Sequence, residues 1–209
     1  MFRRYFIPVL KVFGFVMVYM VALSIILGLF FFSVGQLAAQ ELPELFVGAL
    51  SLSVALLVTY LYLKLDKRNL KDIGAWFHNA WYKKLIKGSI LGIAAIIIIF
   101  TAMLISGLAA TRGLTVSNPA VIIMKLATGV LLYLSAVAYA EELLTRGYIY
   151  HFLKTRFTIA GAVLITSLVF SLMHIFNPNV TPLALFNIFL AGIVLNLLVL
   201  RDGDIWSAV

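Results

Sequence analysis

Cysteine is absent from the 209 residues, which excludes a disulfide framework and a thiolate metal site and leaves the redox compartment unmarked. Charge is nearly as scarce. Only 11% of residues are Asp, Glu, Lys or Arg, against 64% hydrophobic, and the mean hydropathy is +1.11. So few charges cannot furnish a water-facing surface, which excludes a soluble globular domain and leaves a multispan membrane protein. Low-complexity tracts, Gly/Ser linkers and internal repeats are also lacking, so the chain reads as one membrane domain, 1–209. No cleavable signal is evident, because the first apolar run is too long for a signal-peptide core. It is expected to remain as an anchor.

What is present is a succession of apolar runs. Residues 12–34, 45–63, 88–110, a helical run from 120 through 141 and on to about Leu153, 159–176 and 183–200 predict an all-α polytopic bundle of about six transmembrane helices. Pro119 is placed to open the fourth, since proline is tolerated in a first turn. Between the first two runs, 36–44 is polar and carries Glu41 and Glu44 without a cation. Residues 111–118 form a second polar turn, and Asn177 to Pro182 a third, tight one. Lys64, Lys67, Arg68, Lys71, Lys83, Lys84 and Lys87 interleave with Trp76, Phe77, Trp81 and Tyr82. Between two spans this pattern fits an amphipathic segment lying among lipid headgroups better than a nucleic-acid surface, so no nucleic-acid partner is expected.

The net charge of +8 follows the same logic. With the N-terminus in the cytoplasm, fourteen of the sixteen Lys and Arg fall on the inner side, leaving Arg112 outside and Lys125 within or near the fourth span. The expectation is an integral protein of the bacterial plasma membrane with a cytoplasmic N-terminus and the lipid bilayer as an obligate partner.

Two polar clusters interrupt the oil. Tyr139 to Tyr150 holds Glu141, Glu142 and Arg146. Ionisable groups at membrane depth cost several kcal/mol, on the order of 3 by translocon scales, so they need a reason. Glu142 and Arg146 are four apart with the acid first, the favourable order for an ion pair. Glu141 lacks such a partner and, on a regular helix, shares a face with Thr145 and Tyr148. The second cluster places Phe170 and His174 on one face at i, i+4. Taken singly, the acids could mark a helix end and the imidazole could be a packing residue. A carboxylate and a histidine on neighbouring spans are also what general-base activation of water requires.

Depth decides between these readings. If the fourth span is 120–140, Glu141 lies at the inner end and His174 near the outer end of the fifth, about 20 Å apart along the normal. A helix from Pro119 to Leu153 would be about 50 Å long, however, so the embedded part can equally be 130–153, with Glu141 near mid-depth. The second geometry is expected here.

At these residues the sequence resembles the CAAX protease and bacteriocin-processing family of intramembrane peptidases, which includes the prenyl-protein CAAX endopeptidases. Glu141, Glu142 and Arg146, followed by Gly147, match its Glu-Glu-x-x-x-Arg motif, and Phe170 with His174 its Phe-x-x-x-His motif. The stretch from Phe189 to Trp206 is similar to the span leading to the family's last motif. The likeness runs over about 131–206 and makes 119–209 the catalytic core, with 1–118 supplying N-terminal spans and the basic loop. In the family a further helix carries His-x-x-x-Asn. This sequence ends at Ala208 and Val209, where that helix should begin, and neither His78 nor His151 takes its place, so a C-terminal truncation is expected. The resemblance implies Glu141 as general base, His174 as its partner, and Glu142, Arg146 and Phe170 in support, with no cofactor. It also implies a membrane-anchored peptide or protein substrate, prenylated or leader-bearing. Zinc held by the two glutamates and the histidine is the alternative mechanism. A non-catalytic immunity or scaffold protein and a proton-coupled transporter are the rivals from other classes.

Overall fold

The computed structural model describes residues 2–34, 44–111 and 118–209, so most of the two polar turns at 36–44 and 111–118, including Glu41 and Arg112, lies outside the described residues. The chain is 79% helical, and no strand occurs among the described residues. The helices are α1 (Phe2–Val34), α2 (Glu44–Leu65), α3 (Trp81–Ile105), α4 (119–153), α5 (Ile159–Met173) and α6 (Pro182–Asp202). By length and composition α1, α2, α3 and α6 can each cross a membrane, while the apolar helices Pro119–Gly129 and Ile159–Met173 are shorter. This is an all-α integral membrane protein.

α1 and α2 pack side by side through Val12, Phe15 and Tyr19 on one and Val54, Ala55 and Val58 on the other, all buried. The α1 residues recur at intervals of three and four, the spacing that lines up one helical face. Phe15, Tyr62 of α2 and Tyr148 of α4 form an aromatic triangle with centroids 4.3 to 5.6 Å apart. One end of that triangle is closed by Asp66, which pairs with Lys11 and accepts a 2.8 Å hydrogen bond from the Tyr148 hydroxyl. Three helices are thereby tied at a single level.

The basic termini gather at this end. Arg68 Nη1 donates to His151 O at 3.3 Å, and Lys84 Nζ donates to Asp202 O at 2.7 Å. Arg146 does not join them: it has 0% relative exposure inside the bundle, paired with Glu142. It therefore drops out of the orienting loop charges, a correction to the count made from sequence.

The basic aromatic stretch is a folded turn running into a helix. Asn69 and Asp72 cap a 3-10 turn over Leu70–Ile73 reciprocally. α3 then begins at Trp81, seven residues before the Gly88 expected from the apolar run. None of its residues is buried, and from Ile90 to Met103 its apolar side chains are exposed, as for a helix solvated by lipid. The C-terminal segment folds back onto the turn. Asp204 bonds His78 Nε2 at 2.9 Å and pairs with Lys84, Ile205 N donates to Gly74 O at 3.1 Å, and Trp206 Nε1 donates to Trp76 O at 2.9 Å. Gly74 has φ of 68°, and a Cβ there would stand 2.8 Å from Asp204 Cα, so only glycine permits the docking.

Candidate active site

α4 departs from α winding twice. α-Helical turns over Pro119–Leu132 and Tyr139–Glu142 alternate with π-helical stretches at Tyr133–Ala138 and Leu143–Tyr150. The acidic pair therefore sits on a short α-turn between two widened segments. Stretches of i→i+5 winding are uncommon and frequently mark functional sites. Glu141 lines a cavity with Tyr19 of α1, and Tyr148 meets Phe15 one turn earlier on the same helix, so both side chains face α1, while Thr145 is fully buried. Thr145 still meets Glu141 through its backbone, donating from Oγ1 to the Glu141 carbonyl at 2.6 Å.

The neighbouring acid points inward. Glu142 Oε1 accepts from Arg146 Nη1 at 2.9 Å, and the guanidinium also reaches Thr145 Oγ1 at 2.9 Å and Gly192 O of α6 at 3.4 Å. Phe170 of α5 lies under it, with Cζ 4.1 Å from the ring centroid. A buried cation is affordable only when paired and hydrogen bonded, and the ring adds a cation–π contact. The same Phe170 meets His174 edge-on at 4.8 Å. Phe170 is therefore the physical link between the arginine of the first cluster and the histidine of the second.

α5 is held beside α6 at close range by Gly192, where a Cβ would lie 3.1 Å from Ser167 Cα, and by Asn196 Nδ2, which donates to Gly192 O at 2.9 Å and to Ser167 Oγ at 3.2 Å. Small residues that let helix backbones approach are the usual device for packing in lipid. Ser171 Oγ adds a 2.7 Å bond to Leu185 O. This fixes the C-terminal end of α5, from which His174 projects.

His174 Nδ1 lies 2.8 Å from Phe170 O. A carbonyl can only accept, so Nδ1 carries the proton, and in the neutral ring Nε2 keeps its lone pair. Nε2 stands 3.9 Å from Glu141 Oε1. That is longer than a direct hydrogen bond and short enough for both groups to hold one water. The Glu141 side chain is 37% and the His174 side chain 20% accessible, so neither is sealed off by the protein. The cavity measures about 180 Å³, and its polar wall comprises Tyr19, Ser51, Glu141, His174 and Asn177.

Glu141 is twelve residues from the end of α4 and His174 fifteen from the start of α5. Counted from the connection between those helices, the two side chains therefore meet at one level of the bundle, not at its opposite ends. Glu142 faces away into its ion pair, so the donors expected for zinc do not all converge. Glu141 and His174 are two, where protein zinc sites take three or four ligands. No group of three or more His, Cys, Asp or Glu is close enough to hold a metal among the described residues.

Sequence reading missed Tyr19, Ser51, Asn196 and the Asp204 clasp. Tyr19 and Ser51 lie in long apolar runs where nothing local marks them. Asp204 lies far from His78 in sequence.

Fold and site together define a helical integral membrane protein whose polar side chains converge on a carboxylate and an imidazole that share one cavity. Residues 123–209 match the family model described as type II CAAX prenyl endopeptidase Rce1-like, and both motif clusters lie inside the match. The kind of function that goes with this match is CAAX-type intramembrane proteolysis. No curated protein and no solved structure gives a significant match.

Proposed function

We propose that the protein is an intramembrane endopeptidase that hydrolyses a peptide bond of a membrane-associated substrate, prenylated or leader-bearing, by glutamate-activated water. The observation that carries this reading is the convergence of Glu141 and His174, from separate helices, at 3.9 Å in one accessible cavity. Ionised Glu141 accepts one hydrogen of the water, and the Nε2 lone pair of His174 accepts the other and orients it. As the water oxygen bonds to the carbonyl carbon, its proton passes to Glu141 and the C=O π electrons move to oxygen. Collapse re-forms the carbonyl and breaks the C–N bond, while Glu141 returns the proton to the departing nitrogen. Glu142, Arg146 and Phe170 hold the two helices in register and leave the chemistry to the first pair. No metal takes part in this scheme. With Lys and Arg gathered at one end of the bundle, we place that end and the N-terminus in the cytoplasm.

The test uses the full-length protein in lipid nanodiscs with prenylated and leader-bearing peptide probes. Glu141→Gln and His174→Ala are each expected to slow cleavage at least ~10²-fold, and chelators to leave the wild-type rate unchanged. Full activity in either variant contradicts the assignment. Loss of activity with chelator favours the zinc alternative, and binding without cleavage favours a scaffold or immunity role.

A further inference from the structure

The cavity has two hydroxyls that neither motif supplies. Tyr19 comes from α1 and Ser51 from α2, both outside the stretch matched to the family. Tyr19 is 7% exposed, and its hydroxyl lies 2.8 Å from Ser51 Oγ. A buried phenol needs a hydrogen-bond partner, and here the partner is a second hydroxyl rather than a carboxylate or carbonyl. Two residues on, the α2 serine Ser53 spends its hydroxyl on Ala49 O one turn back. Ser51 instead meets Tyr19 across the helix interface. A hydroxyl pair has two protons to place and one mutual bond, so one proton is left over. If Ser51 donates to the tyrosine oxygen, the phenolic proton is free to turn toward the cavity.

Hydrolysis by the scheme above, on which this inference rests, develops negative charge on the carbonyl oxygen. The other polar groups of the wall do not suit that charge well. Ionised Glu141 only accepts, neutral His174 presents a lone pair at Nε2, and Asn177 sits on an exposed turn. Stabilisation of an oxyanion requires a donor whose orientation is fixed before reaction. Tyr19 meets that requirement because its ring is packed and its oxygen is held by Ser51.

We propose that Tyr19 donates a hydrogen bond to the oxyanion formed at the scissile carbonyl, and that Ser51 is the positioning residue that orients it. No proton leaves Tyr19: the bond strengthens as charge builds on oxygen and relaxes when the carbonyl re-forms. The N-terminal helices would then take part in the chemistry as well as in anchoring the chain.

The full-length protein in nanodiscs again provides the test. Tyr19→Phe, which removes one oxygen from a ring that stays packed, is expected to lower kcat by ~10²-fold or more and leave KM nearly unchanged. Ser51→Ala is expected to lower kcat about tenfold, and Ser51→Thr, which keeps the hydroxyl, to restore it. Affinity for two inhibitors of one peptide sequence gives a readout independent of turnover. One is a trifluoromethyl ketone, which is held as a tetrahedral adduct, and the other is the corresponding methylene compound. Tyr19→Phe should weaken the first at least tenfold and spare the second. Unchanged kcat, an equal loss for both inhibitors, or failure of the wild type to prefer the ketone overturns the proposal. If Glu141→Gln is inactive while Tyr19→Phe is fully active, this inference fails and the peptidase reading stands. If Glu141→Gln cleaves normally, the peptidase reading itself has failed.

Discussion

Arg146 holds a full charge where no part of it reaches solvent, and its contacts show what that requires. The guanidinium bonds to Glu142, Thr145 and Gly192 O and rests on Phe170, so it touches α4, α5 and α6 at once. Removing one partner of a buried pair leaves the other charge uncompensated, at a cost of about 3–5 kcal/mol. Arg146→Met is therefore expected to lower the thermal midpoint in nanodiscs sharply. Glu142→Gln combined with Arg146→Met should recover much of the loss, since no lone charge then remains buried. If the double variant is as unstable as the two single losses added together, the pair does not act as a unit. The pairing was legible in sequence because spacing of four is local. Phe170 stood out through its motif with His174, but that its ring lies under Arg146 was not legible, and neither was the part of Gly192, because a glycine within an apolar helix carries no label saying what it will meet.

α4 carries its acidic pair between two widened turns. The π stretches Tyr133–Ala138 and Leu143–Tyr150 each accommodate more residues per turn than a regular helix, and the acidic pair lies between them. Deleting Ala136 should let the first stretch revert to regular winding. A π stretch holds an extra residue within an otherwise regular helix, so the residues after the deletion, Glu141 and Tyr148 among them, keep their phase. The expected outcome is cleavage within about tenfold of the wild type, with the far-ultraviolet helical signal retained. A loss of ~10²-fold or more, comparable with loss of the general base, would show that the widened turn itself aims the carboxylate. Helix boundaries were largely readable: Pro119 opens α4 and Leu153 closes it, as the pattern of apolar and polar residues implies. The widened turns were not readable, because π and α winding use the same residue types.

At the scale of the molecule the basic ends of the helices collect on one side, and the Asp204 clasp locks the C-terminal segment to the turn after α2. The absence of cysteine makes orientation directly measurable, since any introduced thiol is unique. Lys71→Cys and Pro178→Cys, both at exposed positions, should react with an impermeant maleimide from opposite faces of the membrane, the first from the cytoplasmic face. Reaction of both from one face would break the proposed topology. The all-α membrane class was evident from hydropathy, because a chain with so few charges has one solvent open to it. Which helices enclose the site was not evident, since Tyr19 and Ser51 are distant in sequence and sit in runs with no polar periodicity. The clasp was hidden for the same reason: Asp204 and His78 are 126 residues apart in sequence.

The central claim is that Glu141 and His174 act on one shared water, and a double-mutant cycle on cleavage tests it most directly. Rates of a membrane-anchored peptide probe would be measured for wild type, Glu141→Gln, His174→Ala and the double variant in the same nanodiscs. Groups that work as a unit are strongly non-additive, so the double variant is expected to be about as slow as the slower single one. Losses that multiply, or a double variant that still cleaves at the wild-type rate, would contradict the account.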